Sequence, residues 1–397
     1  MKKDDFPHQP AEGAVKLPIT KENVEHMLAE SGVTVSYDVI KKRRSYERAG
    51  SALTFSDLIG LANLNGLNSP WFGDFVQEIA EANPTNPVKA WIESQPWDGT
   101  DRLMAFYETV EADEDYPTGF KCLLLNRWLR SAVAAAVKDY FRNRGVLTFQ
   151  GPQGCGKTSW IAALAPPDKR AELVKLDHHL DPHNKDSVYI GVSHWFTEIG
   201  ELDSSFKRDI SRLKGFLTND CDKIRLPYTK TPIEMKRRTV FAASVNDPNF
   251  LIDATGNTRF WTIPVVKLHY DHDIDMQQVF AQVLVDVRAG KQWWLTPEEE
   301  AMLEEQNARF KAVSVIEERL LDALNAKSGP AIYMTAMEVL RALDFNSPSN
   351  NQCRECGAVL RHKFGPPKRV QGRARWKVPM KPSEGFHRRQ EPDPDEY

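Results

Sequence analysis

The sequence predicts an α/β fold: a phosphate-binding core, a helical segment before it, and a small helix-and-hairpin unit after it. Three observations predict this. A short apolar strand, Val146-Leu147-Thr148-Phe149-Gln150, runs into a glycine-rich turn and then a helix. Further apolar runs of strand length alternate with helical or turn segments, as α/β patterning requires. Near the C-terminus, capped helices precede a basic hairpin turning at Gln371-Gly372. A length of 397 residues suits roughly two or three domains. The 41% hydrophobic and 27% charged content is that of an ordinary soluble chain. With a net charge of −3, any polyanion site must be a local basic patch.

In chain order, residues 1–19 are polar and Pro-containing with no apolar period, which predicts a disordered tail. Residues 20–115 predict a helical adaptor domain. Helices open at Ser56, run over 71–82, and start at Asn86-Pro87, where an N-cap precedes Pro at the first helical position. Trp97-Asp98-Gly99-Thr100 is then a turn. The phosphate-binding core is expected over 116–295. It starts with a long helix over about 120–142, whose Leu/Ala-rich stretch 123–137 predicts burial against a sheet. After the glycine-rich loop, strands are expected over 171–174, 188–197, 238–245 and 260–265. Residues 296–379 predict a linker helix and a winged-helix-like domain: a helix over Val315–Ala326, one capped by Thr335, one capped by Ser349, then the hairpin. Residues 380–397 read as a polar tail.

Gly151-Pro152-Gln153-Gly154-Cys155-Gly156-Lys157-Thr158-Ser159 satisfies G-x-x-x-x-G-K-[ST] between a strand and a helix. Glycines there let backbone N–H groups turn inward around a phosphate, and the helix N-terminus adds its positive dipole end. Lys157 is placed to reach the β/γ-phosphates and the Thr158 hydroxyl to hold Mg²⁺. The expected cofactors are therefore ATP and Mg²⁺.

Carboxylates downstream separate the possible chemistries. In Ser193-His194-Trp195-Phe196-Thr197-Glu198-Ile199-Gly200-Glu201-Leu202-Asp203, Glu198 stands at the end of an apolar strand, where a Mg²⁺-organising or water-polarising acid belongs. Glu201 is the second choice, since it lies beyond a glycine and could turn back toward the site. Glu201 and Asp203 also read as caps of the next helix. Asn246, at the tip of the strand ending Ser244-Val245, could orient the attacking water, or simply form a turn. Arg259, after Gly256-Asn257-Thr258, could project outward as an arginine finger, or form a surface ion pair.

The motif order resembles the virulence-associated protein E family. It comprises the glycine-rich loop, Trp195-x-x-Glu198-x-x-Glu201-Leu202-Asp203, Arg225-Leu226-Pro227-Tyr228, Val245-Asn246 and Gly256-Asn257-Thr258-Arg259-Phe260-Trp261. Asn86-Pro87-Val88 and Trp97-Asp98-Gly99-Thr100-Asp101-Arg102-Leu103 are similar to the family's segment ahead of the ATPase. These are phage and genomic-island replication ATPases, similar to superfamily 3 and poxvirus-type primase-helicases of the AAA+ class. The resemblance implies a homo-oligomeric ring, a hexamer, with ATP sites between subunits and DNA threaded through the centre. Larger relatives carry a primase module ahead of the helicase. No motif for one appears here, so a separate primase or replisome protein is an expected partner.

Between the acid strand and the Asn strand, Ile224, Leu226 and Tyr228 alternate with Lys223 and Arg225, and the segment ends in Lys236-Arg237-Arg238. This reads as a hairpin with a basic tip and basic return strand, the position of a pore hairpin in the similar families. Arg225, Lys230, Lys236 and Arg237 suit phosphates, and Tyr228 suits stacking. In the C-terminal unit, Arg373 and Arg375 head a concentration of charge that also includes Arg361, Lys363, Lys368, Arg369 and Lys377. Such a domain could equally dock a protein. Cys353-Arg354-Glu355-Cys356 invites a zinc reading, but no second C-x-x-C exists to complete a tetrahedral site. Cys353, Cys356 and Leu360 share one helical face, as buried thiols would.

The expectation is an ATP-driven DNA helicase or replication-initiator ATPase of a phage or mobile element. The alternative is an NTP-dependent DNA-binding switch or loader that does not unwind. The order of Asn246 and Arg259, the basic hairpin and the appended basic domain disfavour a small-molecule kinase. The five cysteines are an odd, scattered set, and Met1-Lys2-Lys3-Asp4-Asp5 has no apolar run behind it. A reducing cytoplasm and no membrane are therefore expected.

Overall fold

A computed structural model describes residues 1–200, 212–224, 233–251, 257–311, 315–326, 331–370 and 372–379. The chain divides into two compact units, residues 1–248 with 258–306, and residues 249–257 with 307–397.

The first unit opens with α1 (Lys21–Glu30), capped by Thr20, whose hydroxyl accepts from the Asn23 amide. A small sheet follows. β1 (Val33–Asp38) pairs antiparallel with β2 (Arg43–Arg48), β2 with β3 (Ser51–Ala52), and β4 (Pro84–Thr85) lies parallel to β1. Between β3 and β4 come α2 (Phe55–Leu64) and α3 (Phe72–Ala82). Thr54 and Asp57 form a capping box at the start of α2. Val24, Met27, Val35, Leu58, Phe72 and Val76 build this core.

Two expectations are corrected here. The expected helical adaptor carries a four-stranded sheet. Val33, Val35 and Tyr37 do alternate, but β2 reads Arg-Arg-Ser-Tyr-Glu-Arg, too polar to signal a strand. The expected disordered tail 1–19 contributes Phe6 and Leu17 to the same core. The reason is a single buried side chain: Asn23 donates to the His8 and Pro18 carbonyls and accepts from the His8 amide. It thereby satisfies main-chain groups that burial would otherwise leave unpaired.

The larger core follows. α4 (Pro87–Ile92) starts at an Asn86 cap with Pro87 at its first position, as expected. After it come α5 (Leu103–Glu108), β5 (Val110–Ala112), α6 (Thr118–Val137), β6 (Val146–Gln150), α7 (Lys157–Ala163), α8 (Arg170–Leu173), β7 (Val174–His178), α9 (Lys185–Val192) and β8 (Phe196–Ile199). Helical residues 212–217 (α10) lead to β9 (Cys221–Ile224) and β10 (Ile233–Lys236), an antiparallel pair. β11 (Val240–Val245), β12 (Phe260–Leu268), α11 (Met276–Arg288) and α12 (Pro297–Asn307) complete it.

The main sheet has the order β5-β12-β6-β11-β8-β7. All its neighbours are parallel except β5, which runs antiparallel to β12. Residues 86–115, expected in the adaptor, thus supply an edge strand and buried side chains such as Val88, Ile92 and Phe106 to this core. The Trp97–Thr100 turn docks on α11, where Gln278 accepts from the Asp98 amide and Gln282 from the Arg102 amide. The Arg102 guanidinium grips Asp98 and holds its carboxyl well below the usual carboxylate range.

α6 lies against the sheet, with Trp128 fully buried and its indole N–H donated to the Phe241 carbonyl at 2.9 Å. The helix ends at Val137, short of the expected 142. Arg238 donates to the Ala135, Ala136 and Lys138 carbonyls at that end, a favourable match to the helix dipole. Two strand expectations also shift. Residues 170–173 are helical, and the strand starts at Val174. The run 188–197 splits into α9 and β8, because the Asn184 side chain accepts from the Asp186 and Ser187 amides and starts a helix. That cap outweighs the β-branched look of the run.

The second unit packs α13 (Val315–Ala326), α14 (Ala336–Ala342) and α15 (Asn350–Phe364) with β13 (Ile332–Met334), β14 (Lys368–Val370) and β15 (Arg373–Val378) in an antiparallel sheet of order β13-β15-β14. Thr335 and Ser349 cap their helices as expected. Gly372 turns the hairpin with φ +76°, a value that favours glycine. Cys356 and Leu360 are fully buried in this core, with Cys353 packed against it. No described helix is long and apolar enough to cross a membrane.

Candidate functional site

The loop after β6 is built around backbone conformations that only glycine adopts easily. Gly154 and Gly156 have φ of +83° and +96°. The loop also presses on the end of β12: a Cβ on Gly151 would lie 2.3 Å from the Val265 carbonyl oxygen. Lys157 opens α7 and is buried. Its ammonium donates to the Gly151 and Pro152 carbonyls at 2.7 and 2.8 Å and to Asn246 Oδ1 at 2.9 Å. Burial lowers its pKa, with the nearby Cys155 thiol acting in the opposite direction.

The next residue, Thr158, donates its hydroxyl to Glu198 Oε1 at 2.8 Å. Glu198 is 1% exposed. It also accepts from the Ser244 hydroxyl on one oxygen, and from the Asp177 amide at 3.2 Å on the other. Four separate stretches thus meet: the loop and α7, β7 through the Asp177 amide, the end of β8, and the end of β11. β11 lies between β6 and β8, so Asn246 at its tip stands between the lysine and the acid.

Lys157, Thr158, Glu198 and Asn246 are therefore brought together, with Gly151, Pro152, Gln153, Gly154, Cys155 and Gly156 forming the loop and Ser159 exposed in the first turn of α7. Glu201, Arg225, Tyr228 and Lys230 lie outside the described residues. Ser244 and Asp177 were missed. Ser244 was legible, because it lies two residues before Asn246 and so on the same face of β11. Asp177 was hidden by the misplaced start of β7.

Arg259 is not brought to this loop. It is half-buried just before β12, whose first residue, Phe260, pairs with Val146 at the start of β6. The glycine-rich loop leaves the other end of β6. The two ends are about five residues apart, roughly 16 Å at about 3.3 Å per residue.

The basic run after β10 is resolved into different roles. Lys236 is exposed. Arg237, expected on DNA, is corrected: it is 3% exposed and forms a bidentate ion pair with Asp222, its guanidinium 4.5 Å from the Phe216 ring centroid. Its Nε and Nη2 donate to Asp222 and the Phe216 carbonyl and its Nη1 is buried, so it has no face for a phosphate. Arg238 closes the end of α6, as described. Asp222→Ala should strand the Arg237 charge and cost about 3–5 kcal/mol of stability, measurable by urea unfolding. A loss below about 1 kcal/mol would mean the pair does not hold the base of the hairpin.

Lys42, between β1 and β2, is 1% exposed and donates to the Lys236 carbonyl at 3.0 Å. Burial pushes its pKa down from 10.5 to about 7. The unfolded chain then binds more protons between about pH 7 and pH 10.5. Stability from this residue should rise with pH across that window, by up to about 1.4 kcal/mol per pH unit, and be flat below it. Urea midpoints of wild type and Lys42→Met across pH 6 to 9.5 test this; equal slopes would refute it.

In the second unit, Arg373, Lys377, Lys368, Arg369 and Arg361 are exposed. Arg375 is half-buried, and its guanidinium donates to the Tyr333 carbonyl at 3.5 Å. Lys368 and Lys377 flank the Tyr333 ring at 5.7 and 5.8 Å.

A family model described as virulence-associated protein E-like domain matches residues 92–312, more than half of the chain. The chain belongs to the virulence-associated protein E-like domain family. Its matched segment starts in α4, as the boundary of the larger core does. No curated protein matches. Among solved structures, the A form apo structure of the NrS-1 C-terminal region is 15% identical, with a TM-score of 0.40, over 89% of this chain and 98% of that one. An apo structure of the same region gives 15% identity and 0.35 over 90% and 98%.

Proposed function

We propose that this chain is an ATP-driven DNA helicase of the AAA+ class, superfamily 3-like, acting in replication of a phage or other mobile element as a homo-oligomeric ring. The observation that carries the reading is the convergence of Lys157, Thr158, Glu198 and Asn246 on one glycine-rich loop. Family membership and the interposed strand β11 support it.

The donor set fits ATP with Mg²⁺. The Thr158 hydroxyl and Glu198 carboxylate are hard oxygen ligands held side by side. Such an ion is typically held by one or two protein oxygens together with the phosphates and keeps several waters. When bound, it would neutralise charge developing on the transferred phosphoryl group. Lys157 would offer its ammonium protons to the β/γ-phosphates. Asn246 accepts from that ammonium and would orient the attacking water. Arg259, remote from its own loop, would act on a neighbouring subunit. The β9–β10 hairpin, with Arg225, Tyr228 and Lys230 beyond its described strands, would track a DNA strand in the centre. The second unit, three helices and a basic antiparallel hairpin, reads as a winged helix suited to duplex DNA.

Strand displacement on 3′- and 5′-tailed duplexes, read beside mass photometry with and without ATP, tests this. ATP-dependent displacement of one tailed form by a multimer is expected. Hydrolysis and DNA binding without displacement would make the chain a switch or loader instead.

A further inference from the structure

At the end of the main sheet opposite the glycine-rich loop lies a cavity of about 320 Å³ that the hydrolysis chemistry leaves unused. Its lining includes Tyr140, Arg142, Arg144, Trp261, Trp293, Trp294 and the Glu300 carboxylate. Trp261 forms its floor. Its ring presses so closely on the chain at Gly145 that any Cβ there would collide with it, at 2.1 Å. Trp293 is fixed by donating its indole N–H to the Arg142 carbonyl at 3.0 Å. Trp294 stands edge-on to Trp293 with centroids 5.2 Å apart, and half of its surface is exposed. Tyr140 is 67% exposed. The two arginines are exposed and form no ion pair among the described residues, and Arg142 donates its Nε–H to the Thr218 carbonyl at 3.3 Å.

Aromatic faces beside exposed guanidiniums are what a flexible polyanion with flat rings requires. The volume lies in the range of small-ligand sites. A purely apolar ligand would leave both arginines unused, and an inorganic anion would leave the rings unused. We propose that this cavity binds one nucleotide of single-stranded nucleic acid, the base stacked on Trp294 and Tyr140 and the phosphates on Arg142 and Arg144. Thr258 also lines it, so the strand would pass beside Arg259 and away from its own subunit's glycine-rich loop. The proposal rests on the reading above only in supposing that the chain meets nucleic acid.

The test is binding of a labelled oligo-dT to the full chain without ATP, over a range of salt, by anisotropy and tryptophan fluorescence. Trp294→Ala and Tyr140→Ala, both at exposed positions, should each weaken binding about tenfold. Trp294→Ala should also remove most of the fluorescence quenching. Arg144→Ala should flatten the salt dependence by about 0.7 of a slope unit for one lost phosphate contact. DNA-independent ATP hydrolysis should be unchanged in all three. Wild-type affinity and slope in all three variants would overturn the proposal. So would no binding at all, or altered subunit association in mass photometry with binding intact, which would make the cavity a subunit contact. Failure of the helicase reading looks different: hydrolysis or displacement is missing while the dependence on Trp294 and Arg144 persists.

Discussion

Arg259→Ala protein is expected to bind ATP normally and hydrolyse it about 10³–10⁵-fold more slowly. The argument is one of position. Arg259 precedes β12, at the end of the sheet where β6 begins, while the glycine-rich loop leaves the far end of β6. No arginine side chain spans that gap, so any transition-state charge it neutralises belongs to another copy. Mixing Arg259→Ala with Lys157→Ala protein should then restore part of the turnover. In the mixed ring, one kind of interface pairs an intact loop with an intact arginine. A residue that only braces its own subunit predicts no recovery. Full activity in Arg259→Ala alone would refute the role.

The second large effect is expected at the convergence itself. Lys157→Ala should abolish hydrolysis, because no other side chain in the loop carries a positive charge. Glu198→Gln should separate binding from chemistry. The amide keeps the shape and one acceptor oxygen for Thr158 and Ser244 but loses the charge. Nucleotide affinity, measured with a fluorescent ATP analogue, should hold within a few-fold, while hydrolysis falls by about 10²–10⁴-fold. If Glu201→Gln has this phenotype and Glu198→Gln does not, the two roles are exchanged. Undiminished turnover in Lys157→Ala would remove the site assignment altogether.

The loop residues and Asn246 were legible because each is tied to a local signal: a glycine spacing, or a polar residue ending an apolar strand. Glu198 was legible for the same reason, although its strand starts eight residues later than expected. Arg237 shows the limit. A run of Lys236-Arg237-Arg238 looks like one basic patch, yet one side chain faces solvent, one pairs with Asp222 inside the fold, and one caps α6. Those fates depend on partners 15 and about 100 residues away in sequence, which no local pattern records. The N-terminal sheet was hidden for a related reason. β2 is polar because most of its side chains are only partly covered or exposed, so its identity rests on pairing with β1.

Strand β11 carries a thermodynamic consequence. It touches Lys157 through Asn246 and Glu198 through Ser244, and only residues 237–239 separate it from β10 of the hairpin. The end at the glycine-rich loop and the hairpin are therefore two ends of one short, pinned segment. If ATP changes the hairpin's hold on DNA by some factor, DNA must change the chain's hold on ATP by that same factor, since equilibrium coupling is reciprocal. Titrating nucleotide with and without DNA, and DNA with and without nucleotide, would then yield a single coupling free energy for this strand to carry.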